Sequence, residues 1–184
     1  HYRRTDIDDR MSAQVYKRYL DFLDGQHSYF LASDLTEFDR YRLRFDDMIR
    51  TGEIEPAYVI FARFQQRNRE RIRFALAQLD KEPDWTVNES FEFDRTKADW
   101  LADEASLDEL WRKRVKNDVL SLMLAGKTWA EASDTLRKRY DRLGLDERSH
   151  EVLGIELPYV EMPVGPGRNL SVLLCDVDHF KSVN

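Results

Sequence analysis

The chain has 184 residues, enough for one domain with a fragment beside it and enough to bury a real core. Its 42% hydrophobic and 35% charged content excludes a disordered chain and a membrane-embedded one, and no stretch reaches the roughly 18–20 apolar residues of a transmembrane helix. A net charge of −6 argues against a general nucleic-acid binder, and the single cysteine, Cys175, excludes an internal disulfide.

Ser12–Asp24 is predicted as a first helix, capped by Ser12, with Val15, Tyr19, Phe22 and Leu23 on its apolar face. Gly25 ends it, and Tyr29, Phe30 and Leu31 are expected to tuck inward from the loop. A second helix is predicted from Ser33 or Asp34 to about Arg50, stopped by Thr51-Gly52. Pro56 suits the first turn of a third helix, running to about Lys81. Ala57, Phe61, Phe64, Ile72, Ala75 and Leu79 mark its buried side. Gln65, Gln66, Arg67, Arg69, Glu70 and Arg73 mark its exposed side. From Glu82 to Asp103 the helical period is lost. Trp85, Val87, Phe91 and Phe93 alternate loosely, as in a short extended connection, and Trp100 is expected to anchor it.

Leu107–Leu143 then reads as a helical hairpin. Leu107, Leu110, Trp111, Val115, Val119, Leu122 and Met123 recur at three- and four-residue steps, one stripe on a helix. Gly126 stands where a left-handed C-cap belongs. Trp129, Ala132, Leu136, Tyr140 and Leu143 form the stripe of the next helix. Ser106 with Glu109, and Thr128 with Glu131, have capping-box spacing. After Leu143, glycines and prolines from Gly144 to Gly167 punctuate a linker. A short apolar run, Leu170–Cys175, has the length of a buried strand. The fold class is therefore mainly α: an irregular antiparallel helical bundle (1–143) with a short extended connection. A linker (144–167) leads to a loop-rich tail (168–184) ending in one strand.

Few residues offer chemistry. Asp176 and Asp178 could present oxygen ligands from one side of a strand end. Ser121 and Lys127 are a serine and a lysine that nothing in the sequence marks as a dyad. His1, His27, His150 and His179 share no zinc-ligand spacing. The basic clusters Arg112-Lys113-Arg114-Lys116 and Arg137-Lys138-Arg139 are interrupted by core positions and read as solvated, ion-paired helix faces.

Two resemblances bear on function. DELWRKRVKNDVL with LAGKTWAEASDTLRKRY, and DDRMSAQVYKRYLDFLDGQHSYFLASDLTEF at Asp8–Phe38, resemble the N-terminal helical domain of the tail-specific, or carboxy-terminal processing, proteases. The likeness covers about residues 1–143. It implies a noncatalytic accessory domain of a periplasmic serine peptidase that attacks proteins from their C-termini. Such a domain would help build a substrate vault and dock an adaptor lipoprotein. The family's PDZ domain and Ser/Lys core lie further along the chain, so this piece alone is expected to be inactive and to need no cofactor.

The tail LSVLLCDVDHFKSVN resembles the first strand and turn of the GGDEF domain, the diguanylate cyclase fold. Asp141–Leu145 resembles that family's upstream DxLTGL, with its Thr missing. The likeness implies Mg²⁺ at Asp176 and the Val177 carbonyl, phosphate near the amides of His179 and Phe180, and guanine at Asn184. The Gly-Gly-(Asp/Glu)-Glu-Phe signature is absent. An alternative function is thus a truncated cyclase fragment with half a GTP–Mg²⁺ site, and a further one is a helical protein-interaction module. The chain opens at His1 without a signal-peptide pattern, so it is expected to be an internal or processed piece. The two resemblances belong to different architectures, so the stretch 143–168 is expected to be a fusion point or a joining of two genes.

Overall fold

In a computed structural model the structure describes residues 8–52, 54–152, 159–165 and 168–173, with side chains as far as Leu143. The fold is mainly α-helical, with six helices packed together among the described residues: α1 (Asp9–Asp24), α2 (Ala32–Phe38), α3 (Phe45–Thr51), α4 (Glu55–Gln78), α5 (Glu104–Leu124) and α6 (Trp129–Val152). A 3₁₀ turn, Asp39–Tyr41, follows α2.

Two apolar clusters share α4 as a common wall. Tyr16, Leu20 and Leu23 of α1 meet Phe30, Phe38, Tyr41, Phe45 and Ile60 in the first. Leu107, Trp111, Val115 and Val119 of α5 meet Ala132, Leu136 and Tyr140 of α6 and Ile72, Ala75 and Leu79 of α4's far end in the second. The 24 residues of α4 give it a length of about 36 Å, enough to run past both. Leu31 belongs to the second cluster while its neighbour Phe30 belongs to the first, so the loop 25–31 ties them together.

The hairpin stripe behaves as its period requires. Leu107, Trp111, Val115 and Val119 are buried; Leu110, Leu122 and Met123 flank them. Gly126 takes φ 96° at the turn. Thr128 and Glu131 close a capping box: the Glu131 carboxylate accepts from the Thr128 amide at 2.9 Å, and the Thr128 hydroxyl accepts from the Glu131 amide at 3.3 Å.

Elsewhere the structure departs from the sequence-based expectations, each time for a physical reason. The caps of α1 and α5 are Asp8 and Asp103, whose carboxylates accept from Met11 and Ser106 amides, rather than Ser12 and Ser106. Ser12 is buried instead. Its hydroxyl donates to the Arg42 carbonyl at 3.0 Å and accepts from the Phe45 amide at 2.8 Å. That bridge pins the break between the 3₁₀ turn and α3, so the single helix expected from Ser33 to Arg50 is three short pieces. Gly52 ends the last of them at φ 76°. On α1 the buried apolar positions are Tyr16, Leu20 and Leu23, and Phe22 is exposed. Arg67 of α4, expected on the solvent side, is buried against an acidic partner described below.

α6 does not stop at Leu143 but continues to Val152, and Leu143 itself is about half exposed. Beyond it β1 (Tyr159–Gly165) and β2 (Arg168–Leu173) pair antiparallel, with an irregularity between Pro163 and Gly165. The tail thus carries two paired strands where one was expected, because part of the presumed linker supplies a partner. The connection 79–103 contains no regular element, only a parallel bridge between Leu31 and Leu101. Among the described residues, no helix is long and apolar enough to cross a membrane.

Candidate functional site

The polar features of the domain grow out of three acidic side chains placed where chain elements meet. The first is Asp24 in the last turn of α1, 2% exposed. Its Oδ1 accepts from the Ser28 amide at 2.7 Å. Its Oδ2 accepts from the amides of Tyr29 (3.1 Å) and Phe30 (2.9 Å) and from the Trp100 indole (3.1 Å). The loop therefore turns around one carboxylate. Trp100 also stacks on His27, with ring centroids 3.6 Å apart. His27 adopts φ 48°, and its Nδ1 bonds the Ala98 carbonyl. Burial pushes the Asp24 carboxyl up from the ordinary carboxylate range, against the four donors that pull it down.

The second is Asp34 of α2, 1% exposed. It accepts from the Leu31 amide at 3.0 Å, from Arg67 at 2.9 and 3.2 Å, and from Arg63. Burial raises its pKa, but Arg67, the Leu31 amide and Arg63 together outweigh that and hold it below the usual value. Arg67 reaches on to Glu70 at 3.2 Å and to Glu104 at the start of α5 at 3.3 Å. Arg71, one turn later, pairs with Asp108. This ion-pair row stitches α2, α4 and α5.

The third is Glu89, in the irregular connection. It binds Arg112 in a bidentate manner and takes Lys116 at 2.6 Å. Lys116 also donates to the carbonyls of Asp84 and Val87. The hydrogen bonds of Arg112 and Lys116 drive the Glu89 carboxyl down to about 2. Beside this clamp lies an open cleft of about 600 Å³, bounded by the end of α4, the connection and α5. Of its charged walls, Glu89, Arg112 and Lys116 are bonded to one another. The arrangement fixes surfaces in place; it assembles no nucleophile with a base.

Ser121 donates to the Asn117 carbonyl at 2.9 Å, and Lys127 to the Thr135 hydroxyl at 2.9 Å, so the two are engaged separately. Arg112, Lys113 and Lys138 make intrahelical pairs with Glu109, Glu109 and Asp134. Arg137 leaves its helix to meet Asp80 at 2.7 Å. Trp100 anchors the connection as expected. Asp176, Val177, Asp178, His179, Phe180 and Asn184 lie outside the described residues. Among the described residues no group of three or more His, Cys, Asp or Glu side chains could hold a metal ion.

Sequence reasoning missed Asp24 and Asp34 as organisers. A signal existed for the first: an acidic residue in the last turn of a helix opposes the macrodipole and needs another reason to be there.

Fold and polar framework together define a helical module in which two cores are joined along one long helix and locked by buried carboxylates. The chain belongs to the family of the tail-specific protease N-terminal domain, whose pattern matches residues 1–151. It is 39% identical over 142 residues to the tail-specific protease of Haemophilus influenzae, a match covering 77% of this chain and 20% of that protein. The chain thus spans about one fifth of the length of this curated relative. Shorter similarities occur to the HPr kinase/phosphorylases of Prosthecochloris aestuarii and Geobacillus thermodenitrificans. The first is 36% identical over 62 residues (34% of this chain, 16% of that protein). The second is 57% identical over 37 residues (20% of this chain, 12% of that protein).

Proposed function

We propose that the helical domain is a noncatalytic accessory part of a periplasmic tail-specific serine protease. It contributes a wall of the space in which substrates are processed from their C-termini, and it offers an exposed face to an adaptor lipoprotein. The observation that carries this reading is the family match across residues 1–151, together with a polar framework spent on holding helices in place. The test is a domain exchange. The Haemophilus influenzae protease is made without its own N-terminal domain and then with residues 1–151 of this chain in its place. Restored cleavage of an apolar-tailed substrate supports the reading. A folded hybrid that does not cleave, or peptide cleavage by this chain alone, overturns it.

The tail supports a second proposal only through its wording. Asp176 and Val177 would hold Mg²⁺, and Phe180 and Asn184 would meet a guanine nucleotide, as half of a cyclase site. Mg²⁺–GTP binding by equilibrium dialysis, lost in Asp176→Ala, is the expected result; no binding removes the half-site.

A further inference from the structure

The pairings Arg67–Glu104 and Arg71–Asp108 step along α4 and α5 in the same order, so the two helices run in the same direction. The connection between them must therefore travel back along the bundle. It does so beside α5, where the carbonyls of Asp84 and Val87 and the carboxylate of Glu89 all reach Lys116, and Glu89 also reaches Arg112. None of residues 81–94 is buried. Trp85 rests partly buried against the second core, and the polar fastening of this strap is made by two side chains of α5.

That fastening is a carboxylate site with an occupant of its own. Arg112 sets Nη1 on Glu89 Oε1 at 3.0 Å and Nη2 on Oε2, and Lys116 adds its ammonium to Oε1 at 2.6 Å. A guanidinium fork that takes both oxygens at once matches a planar carboxylate and not a spherical anion. The fork is also held from its own helix. Glu109, one turn earlier on α5, accepts from Arg112 Nε at 2.7 Å and from Nη2 at 2.8 Å, so the guanidinium keeps its place when Glu89 leaves.

The strap borders the cleft of about 600 Å³, and the cleft's charges decide what enters it. Lys81 lines it from beyond the end of α4 and has no acidic partner among the described residues. The two other acids of the lining are engaged: Glu82 accepts from the Trp85 indole at 2.8 Å, and Asp84 accepts from the Thr86 amide and hydroxyl at 2.9 and 2.7 Å. With Glu89 swung out, the cations Lys81, Arg112 and Lys116 exceed the acids Glu82 and Asp84 by one charge. A ligand with two carboxylates then finds the fork at one end and an unpaired ammonium at the other.

We propose that Arg112, Lys116 and Lys81 form a site for a small dicarboxylate, which Glu89 fills from within when the ligand is absent. One carboxylate displaces Glu89 from the fork, the other meets Lys81, and the strap is released from α5. The tether gives Glu89 a high effective concentration, so the ligand competes at millimolar rather than micromolar levels. This inference rests on the clamp and not on the protease reading.

The test titrates glutarate into the ¹⁵N-labelled 184-residue chain and follows the Trp85 indole and Arg112 Nε–H resonances, with sodium chloride at equal ionic strength as the control. Glutarate is expected to shift both saturably, with half-displacement at about 10 mM, and chloride to leave them nearly in place. Glu89→Ala removes the occupant from an irregular segment, leaves the helices packed, and binds glutarate about tenfold more tightly. Arg112→Lys keeps the charge but loses the fork, and weakens binding about tenfold, read at Trp85. Butyrate, with one carboxylate, binds about threefold more weakly than glutarate, and Lys81→Met removes that difference. Equal shifts with chloride, no gain of affinity in Glu89→Ala, or no shift in either protein each overturn the proposal. Equal binding of butyrate and glutarate by the wild-type chain overturns it too, since Lys81 then takes no part.

Discussion

Replacing Asp24 tests whether one carboxylate shapes the loop that joins the two cores. Three backbone amides and one indole N–H converge on it, all at 2.7–3.1 Å. In Asp24→Ala all four donors lose their acceptor in a site that is 2% exposed. At about 1 kcal/mol for each orphaned buried donor, the loss is about 4 kcal/mol, a large share of the roughly 5–15 kcal/mol that holds a domain together. Asp24→Asn retains one oxygen. Turned toward Tyr29, Phe30 and Trp100 it satisfies three donors, but its amide then faces the Ser28 N–H. The expected loss is about 2 kcal/mol, one bond plus one donor–donor conflict. Urea unfolding followed by far-ultraviolet circular dichroism measures both. The Trp100 indole resonance reports the local bond. The reasoning fails if the alanine variant loses less than about 1 kcal/mol, or if asparagine costs as much as alanine.

Other perturbations probe the remaining framework. Arg67→Met takes two hydrogen bonds from the buried Asp34, which keeps Arg63 and the Leu31 amide, and is expected to cost about 2 kcal/mol, read from the urea midpoints of the two proteins. The pKa of Asp34 is depressed from 3.8 on folding, so its contribution is present above that value and lost as pH falls through the lower folded one; acid titration of wild type against Asp34→Asn should diverge there. Asp24 has the opposite sign: raised in the fold, it favours the native state as pH drops through the window above 3.8, so it does not initiate acid unfolding. Glu89→Gln is expected to cost about 1 kcal/mol near neutral pH and nothing below its folded pKa of about 2, read by thermal melts across the acid range. Gly126→Ala meets no atom within 4 Å but forces a left-handed residue, for an expected loss of about 1 kcal/mol of stability, read as a lowered thermal midpoint.

Periodic elements were legible and tertiary ones were not. The stripe Leu107–Trp111–Val115–Val119 and the Thr128–Glu131 box are local, so spacing alone defines them. The break after Tyr41 depends on Ser12, a residue on another helix whose hydroxyl takes the Arg42 carbonyl. No window of sequence around residue 42 contains that partner. Arg67 reads as solvent-facing until Asp34, 33 positions earlier, is folded against it. The two missed caps are a nearer failure. Asp8 and Asp103 lie four and three positions before the serines chosen, and all four residues are good caps, so only the backbone decides.

The long α4 and the irregular connection after it have a joint consequence for how the chain tolerates being cut. A nick near residue 90 would divide the polypeptide into α1–α4 and α5–α6. Each piece would keep its own half of the second core, since α4 packs against both α5 and α6. The Ala32 amide to Leu101 carbonyl bond, the Asp24–Trp100 bond and the Arg67–Glu104 pair all cross from one piece to the other. The domain is thereby built as a split protein in waiting: two separately made halves should find one another and reconstitute the whole.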